Sequence, residues 1–496
     1  MKVEGELKNK ISEISDKWIE EDPSGQNERK TSRIIFDKIH GAIQIEDFLV
    51  DILDRPPMQR LRWIKQLGAS EMLYPNGTHS RFEHSLGTYC IAQKMLMYLE
   101  KIDSNLIKPI DENNVLAAAL LHDVGHLCLS HTGELFLEYC SNLSEKAQEL
   151  KQDISIHEFL GYEILGCKYF KNLIDFVNNQ YRVGLDIEII RNIIIGQSRN
   201  FEKQFLADIV HGPIDADRVD YLLRDAHNVG FPHIIDIHRF INTITILKNP
   251  DKDNENYRLG INEKGIRAVE SLFIARNRLR PALYEHHVSR IGEEILIRIM
   301  KECLDDPLSI MELDDYDLFC TLNSCEDYTR KLGEYKNRKF FKRLLFFQCI
   351  SETLRDTVRY TSLDKRLEIE KEISSEIFGE KDCCMMIVPK TKEKINIGEV
   401  FVLQNDGKVK KASYVLKRMY SKYKKTDTER TFEGFYDFDQ ICETYDIRLF
   451  SPWKKTYDIN DKNIEEIKTI LSEMYKTEPD KFEEMYRAKP YYGFSI

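Results

Sequence analysis

From Val115 to Leu121 every side chain is apolar, and the run ends in His122-Asp123-Val124-Gly125-His126. A segment with no polar face predicts a helix buried on all sides, and Gly125 stops it. That helix delivers an imidazole and a carboxylate side by side, with a second imidazole one turn on. Upstream, Arg81-Phe82-Glu83-His84 lies within another helical pattern that runs to Leu99. Imidazole nitrogen with carboxylate oxygen is the donor set of a borderline divalent cation and argues against a soft thiolate site.

A chain of 496 residues can bury a large core and predicts two to four domains. The net charge of −11 argues against a dedicated duplex-DNA binder, which needs concentrated cations to neutralise phosphates. Eleven cysteines without a CxxC pair give neither a zinc-finger spacing nor a disulfide framework, so a reduced, cytoplasmic compartment is expected. Lys8, Lys10, Glu13 and Asp16 interrupt any leader-like apolar segment, and no apolar run is long enough to span a membrane.

Along the chain, residues 1–30 read as a charged segment, a short helix followed by a linker at Glu21-Asp22-Pro23-Ser24-Gly25. Ile34 to Leu53 starts strand-like and turns helical, and Pro56-Pro57 breaks it. Helical patterns then succeed one another: His157 to Tyr169, Ile187 to Ile195, Asp217 to Ala226, Gly265 to Met300 and Phe340 to Val358. Strands do not alternate with helices, so a doubly wound sheet is not expected. Short β-rich runs (Met385 to Val388, Glu399 to Leu403, Tyr445 to Phe450) and a closing helix, Ile464 to Tyr475, predict a smaller α+β domain over 385–496. The fold class expected is mainly α.

A mononuclear catalytic site needs three or four ligands and an open position. His84, His122 and Asp123 supply three. The segment Asp215-Ala216-Asp217-Arg218-Val219-Asp220-Tyr221 offers carboxylates for a fourth. Asp217, Tyr221 and Asp225 share one helical face, which favours Asp217. Asp215 then reads as a helix cap, and Asp220 as a partner for Arg224.

Five motifs in order carry a family resemblance: Gln59 to Gly68 (QRLRWIKQLG), Arg81 to Gly87 (RFEHSLG), His122 to His126, Asp215 to Tyr221, and Arg276-Asn277 to Tyr284-Glu285-His286. Over Arg33 to Met300 the chain resembles the HD-domain deoxynucleoside triphosphate triphosphohydrolases. No room for a sterile-alpha-motif domain is expected ahead of the match. The resemblance implies a phosphohydrolase core over 31–384, with 385–496 serving assembly or regulation. It implies His84, His122, Asp123 and Asp217 as ligands of one divalent transition metal (Mn, Fe, Co, Ni or Zn, with Mg less suited). The reaction implied is dNTP plus water to deoxynucleoside and inorganic triphosphate.

By the same resemblance His126, Glu134 and His157 accompany the metal in catalysis, and His157 donates the proton to the leaving 5′-oxygen. Glu134 stands where the family has Asp, one methylene longer. Arg81, Arg218 (a Lys in the family) and Arg276 contact the triphosphate. Leu67 and Tyr284 exclude a 2′-hydroxyl, Gln66 and Asp225 hold the 3′-hydroxyl, Tyr221 lines the sugar and His131 lies near the base. Effector positions match at Arg33, Asp54, Gln59 and Arg62, with Phe36 departing from an Asn, and at Arg239 and Lys264, with Asn262 departing from an Arg. A nucleotide activator and a homo-oligomer, dimer or tetramer, follow as expectations.

A C-terminal basic and aromatic stretch (Lys408, Lys410, Lys411, Tyr414, Lys417, Arg418, Tyr420, Lys422, Tyr423, Lys424, Lys425) has a texture that can bind single strands or triphosphates, although a solvated face is the commoner use. Two other readings compete: another HD phosphohydrolase, acting as a nucleotidase or on a signalling nucleotide, and a nucleotide-sensing or nucleic-acid-binding regulator with a vestigial site.

Overall fold

The computed structural model describes residues 2–22, 30–152, 154–232, 235–250, 256–380, 384–388, 397–421, 447–452, 457 and 459–487. The chain is mainly helical with small sheets, as its patterns predict. Among the described residues no helix is long and apolar enough to cross a membrane.

Two compact units divide the chain, and the division does not fall at residue 384. The first comprises Met1–Arg280, Leu304–Thr321 and Ile395–Phe432; the second, Pro281–Cys303, Leu322–Lys394 and Glu433–Ile496. Strand pairing explains the first unit's late segment. Phe401–Leu403 pairs parallel with Tyr257–Asn262 and antiparallel with Val409–Lys411, in a four-stranded sheet that Ile244–Lys248 completes.

The helix expected in the charged N-terminal segment is present. It spans Lys2–Glu21 and buries Leu7, Ile11, Ile14 and Trp18, a stripe at helical spacing. Trp18 packs 5.6 Å from the Tyr169 ring and 6.0 Å from Phe170. Pro23 to Gly25, where a linker was expected, lie outside the described residues.

A hairpin, Arg33–Asp37 with Gly41–Ile45, precedes the helix Asp47–Leu53. The helices Arg81–Ile102, Pro109–Leu121 and Ala216–Val229, which carry or adjoin the candidate ligands, pack together in this unit, the first against both others. Val115 to Leu121 is buried throughout, so the apolar run does lie at the core. The expected helix from His157 divides at Gly166-Cys167 into Ile156–Leu165 and Lys168–Tyr181.

In the second unit, Phe340 to Val358 is not one helix. Lys342–Cys349 is a strand, and a helix follows at Glu352–Arg359. Leu344 to Phe347 is buried on both faces of the strand, which sits between Phe482–Arg487 and Ile447–Ser451 in a sheet that Met385–Ile387 completes. A short apolar run of this kind carries no periodicity to separate strand from helix. Gly265 to Met300 is likewise interrupted: helix Ile266–Leu279 gives way to a π-helical turn, Arg280–Tyr284, before helix His287–Cys303. Pro281 has no N–H for the α-helical ladder, which accounts for the break.

Candidate metal centre

Three helix ends bring the candidate ligands together. Ser80 caps the helix Arg81–Ile102 reciprocally: its hydroxyl accepts from Glu83 N, and Glu83 Oε2 accepts from Ser80 N at 2.8 Å. His84 sits one turn inside that cap. His122 closes the helix Pro109–Leu121, and its Nδ1 lies 2.9 Å from the carbonyl of Ala119, one of the orphan acceptors of a helix end. Asp215 caps Ala216–Val229 by accepting from Arg218 N at 2.7 Å, as its position predicts, and this leaves Asp217 in the first turn.

The functional atoms converge. His84 Nε2 lies 2.9 Å from Asp217 Oδ1, 3.2 Å from His122 Nε2 and 3.8 Å from Asp123 Oδ2. His122 Nε2 is 3.2 Å from Asp123 Oδ1 and 3.7 Å from Asp217 Oδ1. A cation about 2.0–2.2 Å from each ligand holds ligand atoms roughly 3–3.5 Å apart; His84, His122 and Asp217 group closely enough to hold one ion, while Asp123 turns Oδ1 to His122 and Oδ2 to His84 and groups with His126 and His157. The opposite ring nitrogens are already engaged, His84 Nδ1 with Asp220 Oδ2 at 2.8 Å and His122 Nδ1 with the Ala119 carbonyl. Such contacts fix ring orientation and direct the Nε2 lone pairs inward. Burial disfavours a charged His84, yet Asp217, Asp220 and Asp123 outweigh it and push its pKa up to about 10 in the absence of an ion. Asp123, although buried, is held well below the usual carboxylate range by His122, Arg81 and His126.

Beside this group lies a second one. His131 and His157 share a single carboxylate, because Glu134 is long enough to reach both rings, and His126 stacks on His157. Glu134 Oε2 is 2.7 Å from His131 Nδ1, while Oε1 contacts His157 Nδ1 and accepts from His157 N at 2.8 Å. Asp123 joins the groups, with Oδ1 3.2 Å from His126 Nε2. Burial opposes a charged His157, but Glu134 raises its pKa to about 9. Burial, Arg81 and His157 together hold His126 far below an ordinary histidine.

Arg81 is buried between Ser130 Oγ (2.9 Å), Asp123 Oδ2 (3.0 Å) and the Gln66 carbonyl (3.4 Å). Gln66 Oε1 is buried without a hydrogen-bond partner, and Leu67 is buried next to it in sequence. Arg276 Nε donates to the Tyr221 hydroxyl at 3.3 Å. Arg218 donates to the carbonyls of Gly212 and Pro213. Asp225 is paired with buried His79 at 2.7 Å, a contact the sequence did not signal. Tyr284 belongs to the second unit, at the end of its π-helical turn. Asp220 meets Arg224, as expected, and also His84, which was not expected.

The effector candidates fall into two groups. Arg33 and Asp54 form a two-bonded ion pair at 2.6 and 2.8 Å. Arg62 donates to Gln59 Oε1 and lies 3.6 Å over the Phe82 ring. Arg239 donates to the Lys264 carbonyl at 2.8 Å. Of the basic C-terminal stretch, Lys422 to Lys425 lie outside the described residues.

A helical core with His-Asp at its centre defines a class of hydrolase, and the family comparison agrees. The HD domain family matches residues 81–225, and the HD associated region matches residues 235–426. The chain belongs to the HD-domain phosphohydrolases. Within that class it is 29% identical over 452 residues to the uncharacterized protein MJ1154 of Methanocaldococcus jannaschii, covering 89% of this chain and 84% of the relative. It is 30% identical over 325 residues to the human deoxynucleoside triphosphate triphosphohydrolase SAMHD1, covering 60% of this chain and 49% of that protein. A Dictyostelium discoideum homolog of SAMHD1 is 29% identical over 300 residues, covering 58% of this chain and 54% of its own length. The chain thus spans about half the length of these two triphosphohydrolases.

Proposed function

We propose that this chain is a divalent-metal-dependent dNTP triphosphohydrolase, converting dNTP and water to deoxynucleoside and inorganic triphosphate. The observation that carries the reading is the grouping of His84, His122 and Asp217 beside a second group, Asp123, His126 and His157, with Asp123 Oδ1 3.2 Å from both His122 Nε2 and His126 Nε2. The triphosphohydrolase activity in the names of the human and Dictyostelium relatives supports the choice of substrate.

In this reading His84, His122, Asp123 and Asp217 hold one transition metal, Mn, Fe, Co, Ni or Zn, or less favourably Mg. Bound there, the cation would polarise the α-phosphoryl group and neutralise its charge. His157, kept protonated by Glu134, gives its proton to the departing 5′-oxygen, and His126, stacked against it, stays neutral. Arg81, Arg218 and Arg276 carry the triphosphate charge. Gln66, Leu67, His131, Tyr221 and Asp225 shape the nucleoside site; the burial of Leu67 suits exclusion of a 2′-hydroxyl, which would lose its hydrogen bonds there. Arg33, Asp54, Gln59 and Arg62, with Arg239 and Lys264, serve a nucleotide activator that assembles a homo-oligomer. The free cysteines among the described residues suit a reduced cytoplasm.

Phosphorus NMR of the products from a mixed dNTP pool tests the reaction. Intact tripolyphosphate is expected; orthophosphate or pyrophosphate as the first product would replace this reading with another HD phosphohydrolase. Rates on one dNTP with GTP, dGTP or dTTP added test activation, which identical rates would remove.

A further inference from the structure

Asp220 is the hub of a buried charged cluster behind His84. Its Oδ2 contacts His84 Nδ1 at 2.8 Å and accepts from Arg224 Nε at 2.9 Å. Its Oδ1 contacts His40 Nε2 at 2.6 Å and accepts from Arg224 Nη2 at 3.1 Å. Arg224 Nη1 then donates to Asp37 Oδ2 at 2.8 Å, and Asp37 Oδ1 accepts from the backbone N–H groups of Ile39 and His40, each at 2.8 Å. The side chains of Asp37, His40, Asp220 and Arg224 are 0 to 4% exposed.

Asp37 and His40 bracket the turn of the hairpin Arg33–Asp37/Gly41–Ile45, in which Asp37 pairs with Gly41. The cluster therefore joins three elements: that turn, the helix Ala216–Val229 and the helix bearing His84. Gly87 makes the close approach available. A Cβ there would lie 1.9 Å from Asp220 Oδ1 and 2.5 Å from Arg224 Nη2. Stability alone is a weak reason for such a cluster, since buried ion pairs are commonly no better than apolar packing of the same volume. Ring orientation is a stronger one. An imidazole whose Nδ1 meets a fixed carboxylate loses its freedom to rotate and presents a more basic Nε2 to a cation.

We infer that Asp220, braced by Arg224, Asp37 and His40, is a positioning residue that sets the His84 ring for the cation and makes the hairpin turn a strut of the metal centre. The inference rests on the reading of His84 as a metal ligand. It needs neither dNTP as substrate nor triphosphate as product.

The test is titration of the full, chelator-stripped chain with Mn2+ alone, followed by calorimetry and by the electron paramagnetic resonance of free Mn2+. Melting temperatures of the metal-free proteins are recorded alongside. Asp220→Asn is expected to weaken Mn2+ binding by about 10- to 100-fold, the usual effect of losing such a partner. Asp37→Asn and His40→Phe, which touch no proposed ligand, are expected to weaken it by up to about tenfold. A wild-type affinity in Asp220→Asn overturns the inference, even with a lowered melting temperature. Wild-type affinities in both turn variants overturn the strut, and those two variants decide the matter should Asp220→Asn fail to fold. A wild-type chain that binds no Mn2+ overturns the metal reading and this inference together, whereas a binding wild type with unaffected variants overturns this inference alone.

Discussion

His126 and His157 stack face to face, with ring centroids 3.9 Å apart and planes within 16°. Two cationic rings at that distance repel, and the surroundings resolve the conflict unequally. Glu134 overcomes burial and raises His157 to about 9, while His126 is pushed far below its ordinary value. One imidazolium beside one neutral imidazole is the result, which is how a single donor of protons is set apart from its neighbour.

A pH dependence follows from this pair. The folded protein keeps His157 protonated up to about 9, whereas an unfolded histidine loses its proton near 6.5. The pair's stabilisation is therefore complete below pH 6.5 and lost as pH rises toward 9. If His157 is the proton donor, kcat holds through neutrality and falls along an alkaline limb near pH 9. A kcat profile from pH 6 to 10 checks this; a limb near 6.5 would show that Glu134 does not hold the proton.

Replacing Glu134 separates charge from packing. Glu134→Gln keeps the length and removes the charge, so kcat should fall by roughly 10²-fold or more, with its alkaline limb moved toward lower pH. Glu134→Asp keeps the charge, but its shorter side chain should engage one ring less well and give an intermediate rate. Steady-state kinetics on both variants distinguishes the outcomes, and KM should change far less than kcat.

Asp315 fixes two backbone segments, at Lys65 and at Leu129. Its carboxylate accepts from Leu129 N at 2.6 Å and from Lys65 N at 2.9 Å, and Leu129 and Ser130 both hold positive φ. Asp315→Ala leaves two backbone donors without acceptors, costing about 1–3 kcal/mol for each that stays buried. Burial pushes this carboxyl up to about 6. Because the folded state binds the proton more tightly, stability should fall as pH rises from about 4 to 6 through this group, and the variant should lack that slope. Thermal melts of the two proteins across that range measure both effects.

The N-terminal helix is expected to be structural. Trp18→Ala removes a ring packed on Tyr169 and Phe170 and should cost about 3–5 kcal/mol, read as a shifted urea midpoint with an unchanged slope. A loss within a few tenths of a kcal/mol would mean that the helix does not belong to the first unit's core.

What could be read from the sequence was local. Asp217, Tyr221 and Asp225 fall on one face because three and four residues make a helical turn, and the cap at Asp215 follows from residue type. The N-terminal helix was equally readable, but the charges around Leu7, Ile11, Ile14 and Trp18 hid that this stripe is buried. Other features carried no local sign. His40 and Asp220 meet across 180 residues, and nothing near Phe401 indicates Gly260 as its parallel partner. Lys342–Cys349 misled for a different reason: its apolar residues are contiguous, and burial on both faces erases the period by which strands are recognised.

The central claim, one cation held by four distant side chains, is tested most directly by crystals grown with Mn2+ and measured at its absorption edge. The account predicts one anomalous peak about 2.0–2.3 Å from His84 Nε2, His122 Nε2 and a carboxylate oxygen each of Asp123 and Asp217. A peak elsewhere, or one that leaves any of the four side chains ordered but unbound, would contradict it.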